Sequence, residues 1–325
     1  MKLAADDCPR RTSDAAPLRF FVAGVSKAGT TALYGFLRQH PQLFLCPIKE
    51  PSFFAAEDFL AIDDPVARRT IRRRALAVER WRAGELSEIP DDGFAFDCRS
   101  YAALFSYARG EHAIGDCSTT YWYAPRAASA IAERYPDARV VLILRNPADR
   151  FFSQYLTTRM SAPLASCRDY FAMARDRTDG WGWVLDMGRY ATNLKRFFSH
   201  FQRWQFQIHL YEDFCRDPRS VCTSIFEFLG VAADVPIDLT ARTNEPRLPR
   251  WPALQALRST LGGSYSLHTR LPRPLSHALR RIYFKPRSRE SMSLDDRRII
   301  TEFYRDEILE TSSLIGRDLT PWLAC

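Results

Sequence analysis

Lys27 stands inside a glycine loop, Glu50 follows a short apolar stretch, and Arg145 ends a longer one, with Ser153 eight residues beyond. These residue types bind anions and move protons. The stretch Phe20 to Thr31 reads Phe-Phe-Val-Ala-Gly-Val-Ser-Lys-Ala-Gly-Thr-Thr. An apolar run predicts a buried strand, the glycines a loop, and Leu33, Phe36 and Leu37 one face of a helix opening at Thr30. A strand, a glycine loop and a helix start together hold phosphate, because loop amides, helix N–H groups and the helix dipole all face the anion. The nucleoside-triphosphate form of such a loop is G-x-x-x-x-G-K-[ST]. Gly24 and Gly29 keep that spacing, but Thr30 takes the lysine's place and Lys27 precedes Gly29. The backbone cradle is kept while the cation moves to another side of the phosphate. This disfavours a kinase or ATPase and points to a different phosphate-bearing donor.

Arg145 closes the unbroken apolar run Val140 to Leu144, at the carboxyl end of a strand where open α/β sheets place ligands. Ser153 falls about two turns along the helix that Pro147 opens. An arginine fork and a hydroxyl so placed can share one phosphate.

The elements that position these residues alternate strand and helix, which predicts a parallel α/β sheet. Strands are expected at Phe20–Ala23, Leu43–Cys46, Ala113–Asp116, Val140–Leu144 and Phe206–Leu210. Helices are expected at Thr30 to about Gln39, Ala124–Tyr135, Pro147–Met160, Tyr190–Phe201, Val221–Leu229 (stopped by Gly230) and Leu294–Ile308. Residues 55–110, with an arginine-heavy stretch from Ala67 to Trp81, read as a helical insertion over the sheet edge. The fold expected is a single α/β domain over residues 18–323, a P-loop-like central parallel sheet flanked by helices with helical insertions. Residues 1–17 read as a disordered leader.

With these motifs in order, the chain resembles the sulfotransferases that use 3′-phosphoadenosine 5′-phosphosulfate (PAPS), in motif layout the glycan and lipid branch of bacterial type. The resemblance spans about residues 18–323. It implies that Lys27, Ala28, Gly29, Thr30 and Thr31 hold the 5′-phosphosulfate and that Arg145 and Ser153 hold the 3′-phosphate. Arg247 or Arg250 closes over that phosphate, although the family's usual Lys/Arg-Gly pair is missing. Pro47-Ile48-Lys49-Glu50-Pro51-Ser52-Phe53-Phe54 resembles the family's Glu-x-x-x-Phe frame, which makes Glu50 the base and Lys27 the cation on the leaving phosphate. Lys49 assists or only pairs with a carboxylate. His112 is the nearest histidine alternative to Glu50. Gly115-Asp116-Cys117-Ser118-Thr119-Thr120-Tyr121 resembles the G-E-x-S-P-x-Y segment that lines the acceptor cleft. Asp116 replaces its glutamate, Thr119 its proline, and Cys117 a lysine found in some glycan enzymes. Asp116, Ser118 and Tyr121 are therefore cleft candidates, with Ser118 or Thr119 as a helix cap on the plainer reading. Lys49 and Phe53 join the cleft, and Phe53, Phe54, Trp122, Tyr123, Trp181 and Trp183 either suit a sugar ring, a lipid or an aromatic group there or are plain core. Gly188-Arg189-Tyr190, Tyr211-Glu212-Asp213, Asp217-Pro218, Phe228-Leu229-Gly230 and Leu314 to Trp322 keep the family's order.

The chain has 325 residues, 46% hydrophobic, with a net charge of +8. That suits anionic ligands, but the arginines are scattered rather than laid in a stripe, so no nucleic-acid partner is expected. None of the eight cysteines forms a C-x-x-C pair, and neither disulfides nor a metal are expected. With no apolar leader or membrane-length run, a cytoplasmic enzyme is expected. The resemblance implies a hydroxyl-bearing small-molecule, glycan or lipid acceptor. The alternatives are a P-loop kinase-like phosphotransferase and a non-catalytic binder of adenosine 3′,5′-bisphosphate.

Overall fold

A computed structural model describes residues 17–90, 93–159, 166–176, 183–240, 247–249, 284–286 and 290–324. The leader expected over residues 1–17 therefore lies outside the described residues apart from Pro17, and so do Arg250 and Trp181.

Five strands form one sheet: β1 (Leu18–Gly24), β2 (Leu43–Leu45), β3 (Ala113–Asp116), β4 (Arg139–Leu144) and β5 (Phe206–Leu210). Their order is β2-β3-β1-β4-β5, and every pairing is parallel. This is the α/β fold that the alternation of elements predicts. The strands that read as continuous apolar runs are the central ones. The last five residues of β1 and of β4 are all buried, as sheets covered on both faces require. Each fully buried Phe20, Phe21 or Val22 contributes on the order of 1.5–3 kcal/mol.

Among the described residues, eleven α-helices up to residue 229 surround the sheet, beginning with α1 (Thr30–Leu37), α2 (Ala56–Leu60), α3 (Pro65–Arg82) and α4 (Cys98–Leu104). They continue with α5 (Ala127–Arg134), α6 (Pro147–Thr158), α7 (Cys167–Asp176), α8 (Trp183–Asp186), α9 (Tyr190–Phe198), α10 (Tyr211–Arg216) and α11 (Pro218–Leu229). Helix starts follow their capping residues. The Asn146 side chain accepts from the amides of Ala148 and Asp149 ahead of α6, and Asp217 accepts from Ser220 ahead of α11. Gly230 ends α11 in the left-handed conformation.

Two expectations change. The terminal helix is two, α12 (Leu294–Phe303) and α13 (Arg305–Ile315), broken at Tyr304. The buried Tyr304 hydroxyl donates to Leu185 O at 2.9 Å, and its ring lies so close to Gly188 that a Cβ there would stand 2.6 Å from it. The cysteines are also not all thiols. Cys98, half-buried at the start of α4, is disulfide-bonded, whereas Cys46, Cys117, Cys167, Cys215 and Cys222 are free. The helices α7 and α8 and a two-stranded antiparallel ribbon, β6 (Arg247–Pro249) with β7 (Phe284–Pro286), were not expected, although α7 buries Cys167, Tyr170, Phe171 and Ala174 at helical spacing.

The insertion has its own small core. Ala56, Ile71, Phe94 and Phe96 pack apart from the main cluster. Phe94 stacks on Phe59 at 5.2 Å and on Phe96 at 5.1 Å, and the Arg74 guanidinium lies 3.9 Å over the Phe94 ring.

In the main core, β1 meets β3 at one glycine. Gly115 faces Phe20, and a Cβ there would lie 2.2 Å from the Phe20 ring. Gly115→Ala should cost roughly 1–3 kcal/mol by overpacking. The urea midpoint should fall with an unchanged slope; an unmoved midpoint contradicts this close packing.

Candidate active site

A parallel sheet delivers every strand's carboxyl end to one edge, and four segments emerge there. The first follows β1. Val25 N–H donates to Ile143 O at 2.9 Å, which starts the loop against β4. Lys27 is half-buried and left-handed at φ 72°, and Gly29 follows at φ 83° as the N-cap of α1. Gly29 is required twice over, because a Cβ there would also stand 2.9 Å from the Phe214 ring. The first α1 bond runs from Leu33 N–H to Gly29 O, so the amides of Thr30, Thr31 and Ala32 precede the helical ladder. No acidic residue occupies the first turn. Ala28 and Thr30 are buried and Thr31 is half-buried. The set fits an anion: free helix-start amides, close backbone approach and an adjacent lysine.

The second segment follows β4. The Arg145 guanidinium donates to Lys27 O at 2.8 Å and lies 4.6 Å over the Tyr211 ring. Arg145 O accepts from the Tyr190 hydroxyl at 2.7 Å. The predicted phosphate arginine thus touches the predicted phosphate loop. Ser153 sits half-buried on α6, in its second turn. Arg247 falls in β6, which places its backbone only.

The third and fourth segments, after β2 and β3, grip each other. Glu50 N–H donates to Cys117 O at 2.9 Å. The Glu50 carboxylate takes the Thr119 amide at 2.7 Å on Oε2, and the Thr119 hydroxyl at 3.1 Å and 3.2 Å on its two oxygens. Lys49 Nζ pairs with Oε1. Burial pulls the Lys49 pKa down, but the Glu50 carboxylate more than offsets it and the net shift is upward, so Lys49 stays charged. Both side chains keep 20% of their surface exposed, enough for a substrate to reach them. Glu50 (φ 68°) and Ser52 (φ 56°) are left-handed, like Lys27. Three non-glycine residues in this conformation at one sheet edge mark backbone held against its preference by its surroundings.

Asp116, Ser118 and Tyr121 were expected in the cleft. The structure buries all three beneath it. Asp116 Oδ2 accepts from the Tyr101 and Tyr121 hydroxyls at 2.9 and 2.7 Å, and Oδ1 from the Ser118 hydroxyl at 2.7 Å. Ser118 Oγ in turn accepts from Ser52 N–H at 3.2 Å, so its hydroxyl faces the carboxylate and does not cap the following turn. Phe54 and Trp122 are core, while Phe53, Tyr123 and Trp183 are half-buried, Phe53 stacked on Tyr101 and Tyr123 on Trp183. Burial raises the Tyr123 pKa, and the Glu50 carboxylate adds to it. His112 precedes β3 at the opposite end of the sheet, where its carbonyl accepts from Leu18 N–H, so it does not meet Glu50. Thr119, expected only as a helix cap, and Tyr190 and Tyr211, given no role from sequence, contribute most to the site among the residues not named for it. The departure from proline at Thr119 was the one available signal, because a proline has no N–H to give Glu50. Among the described residues, no group of His, Cys, Asp and Glu could hold a metal ion, and no helix is long and apolar enough to cross a membrane.

The model of the sulfotransferase family matches residues 17–234. The chain is 25% identical over 96% of its length to the bifunctional heparan sulfate N-deacetylase/N-sulfotransferase 4 of Mus musculus, and 26% identical over 96% to the human enzyme 1 of that name. It spans about a third of the length of these curated relatives (32% and 31%). The crystal structure of a sulfotransferase from Alicyclobacillus acidocaldarius superposes with a TM-score of 0.67 at 26% identity, covering 95% of this chain and 100% of that one.

Burial pushes the Asp116 pKa up to about 6 from 3.8, against the hydroxyls that lower it, with the Glu50 charge adding to the rise. Its ionisation therefore opposes folding. The contribution to stability is full below about pH 4 and lost as pH rises through about 6. Asp116→Asn does not ionise, so it should gain roughly 3 kcal/mol on the wild type between pH 4 and 7, read from paired denaturation curves. A stability difference independent of pH would contradict the buried ionised carboxylate.

Proposed function

The chain belongs to the sulfotransferase family, and from that premise we propose that it moves a sulfuryl group from PAPS to an acceptor hydroxyl or amine, with Glu50 as the base. One observation carries the reading: Glu50, paired with Lys49, stands at the same sheet edge as the glycine loop of Lys27 and the arginine that touches it. PAPS supplies an activated sulfuryl group whose sulfur–oxygen bond to the 5′-phosphate breaks as the acceptor attacks, leaving adenosine 3′,5′-bisphosphate. Lys27 and the helix-start amides of Thr30 and Thr31 hold the phosphate end and take up its growing charge. Arg145 and Ser153 hold the 3′-phosphate, with Arg247 or Arg250 closing over it. Glu50 takes the acceptor's proton. The reaction needs no metal. The half-buried aromatics Phe53, Tyr123 and Trp183 offer an acceptor flat apolar faces, which suits a sugar ring or a lipid. The relatives' names specify N-sulfation of heparan sulfate, so amino sugars stand beside hydroxyl acceptors as candidates.

Calorimetric titration with adenosine 3′,5′-bisphosphate, ATP and AMP tests the donor. Binding of the bisphosphate in the micromolar range, dependent on its 3′-phosphate and lost in Arg145→Ala, is the expected result. A preference for ATP with magnesium returns the chain to the phosphotransferases.

Radiolabelled PAPS offered with desulfated heparan oligosaccharides, a neutral glycolipid and 2-naphthol tests the chemistry. Lys27→Ala should reduce turnover roughly 10²-fold or more, as loss of a transition-state contact does. Glu50→Gln should abolish turnover and leave nucleotide binding intact. Turnover that survives Glu50→Gln removes the base from this reading, and a chain that binds the bisphosphate without transferring to any acceptor is a binder.

A further inference from the structure

We propose that Thr119 is a positioning residue that aims the Glu50 carboxylate, a role the family's proline at this place cannot fill through its backbone. The inference rests on Glu50 being the base. Thr119 gives Glu50 two donors, the amide on Oε2 at 2.7 Å and the hydroxyl shared between both oxygens at 3.1 and 3.2 Å. Lys49 takes Oε1 from the neighbouring position. A carboxylate accepts about four hydrogen bonds. Three donors, one of them shared between both oxygens, fix its plane.

The clamp is rigid because its own base is. Thr119 is 5% exposed and is the first residue of a short helical turn (Thr119–Trp122). The residue before it, Ser118, is tied down to the buried Asp116 and up to Ser52 N–H. The Ser52 hydroxyl donates to Glu50 O at 3.1 Å and accepts from the Thr120 hydroxyl at 3.1 Å. Both ends of the left-handed Glu50–Ser52 turn are thereby held by the segment that carries Thr119. A free carboxylate at the end of two methylenes would sample several rotamers, and only one of them faces the acceptor.

The position also gives a clean set of variants. The first residue of a helical turn accepts proline, because its N–H has no partner within the turn. Thr119→Pro therefore keeps the backbone and removes both donors. Thr119→Val keeps the amide alone, and Thr119→Ser keeps both.

The readout uses PAPS with water as acceptor, so that no acceptor need be known. The water oxygen attacks sulfur, the bond from sulfur to the 5′-phosphate oxygen breaks, and the proton passes through Glu50 to solvent, giving sulfate and adenosine 3′,5′-bisphosphate. Release of the bisphosphate is followed at saturating PAPS, with its affinity measured in parallel. Thr119→Ser should match the wild type, Thr119→Val should fall severalfold, and Thr119→Pro should fall roughly 10- to 100-fold, all with unchanged bisphosphate affinity. Rates of Thr119→Val and Thr119→Pro within twofold of the wild type overturn the proposal. So does a loss in Thr119→Val or Thr119→Pro that appears equally in bisphosphate affinity, which marks a structural role. Glu50→Gln run alongside separates the two readings: if it hydrolyses PAPS at the wild-type rate, the base assignment itself fails, whereas a slow Glu50→Gln beside fast Thr119 variants sinks only the clamp.

Discussion

The parallel register of β1 between β3 and β4 is the constraint on which the site depends. A parallel strand cannot return by a hairpin, so each connection must cross the sheet and begin again at the same end. Every residue that follows a strand is thereby delivered to one edge. Lys27, Glu50, Thr119 and Arg145 come from four different segments spread over more than a hundred residues of chain, yet they meet without any long loop reaching across. The apolar interior of β1 and β4 supplies the stability, and the polar edge uses it. Arg145 shows the economy of the arrangement, since one side chain ends a core strand, braces the loop after the neighbouring strand and lies against Tyr211.

That the edge is held under strain follows from the residues chosen for it. Lys27, Glu50 and Ser52 would each be easier to fold as glycine. They are kept because a glycine has no ammonium, carboxylate or hydroxyl to offer, and surrounding hydrogen bonds impose the conformation instead. The buried Asp116 is the clearest expression of this. It carries no exposed surface worth a substrate's contact, and it costs stability when ionised, yet three hydroxyls from α4 and the turn after β3 converge on it. A chain selected for stability alone would not place a carboxylate there.

All five strands of the main sheet and the glycine loop were legible in the sequence, because the signals are local: an apolar run of strand length, two glycines at fixed spacing, a proline at a helix start. Glu50 and Arg145 were legible as positions after strands. The roles of Asp116 and Ser118 were not, because sequence spacing gives proximity to the cleft but not depth, and a side chain pointing down from a strand end looks the same as one pointing up. The break at Tyr304 was equally hidden, since the helical period continues through it and the long-range contacts of its side chain with Leu185 and Gly188 have no local signal. The Cys98 disulfide escaped because pairing is a fact of distance in space. Thr119 was visible only as a departure from a familiar pattern. What it touches could be seen only when the β2 and β3 ends were placed side by side.

The insertion between β2 and β3 carries a separate apolar cluster, with Phe59, Phe94 and Phe96 stacked under Arg74. Close packing transmits a change of volume to immediate neighbours and fades at the boundary of a cluster. The two clusters meet through Phe59, which packs against both, so a change of volume in the insertion reaches the main core chiefly through that ring. Drift in the aromatic stack can therefore change the insertion while most of the sheet, and with it the phosphate-binding edge, keeps its packing. The insertion is freer to diversify than the sheet edge because most of its packing lies elsewhere.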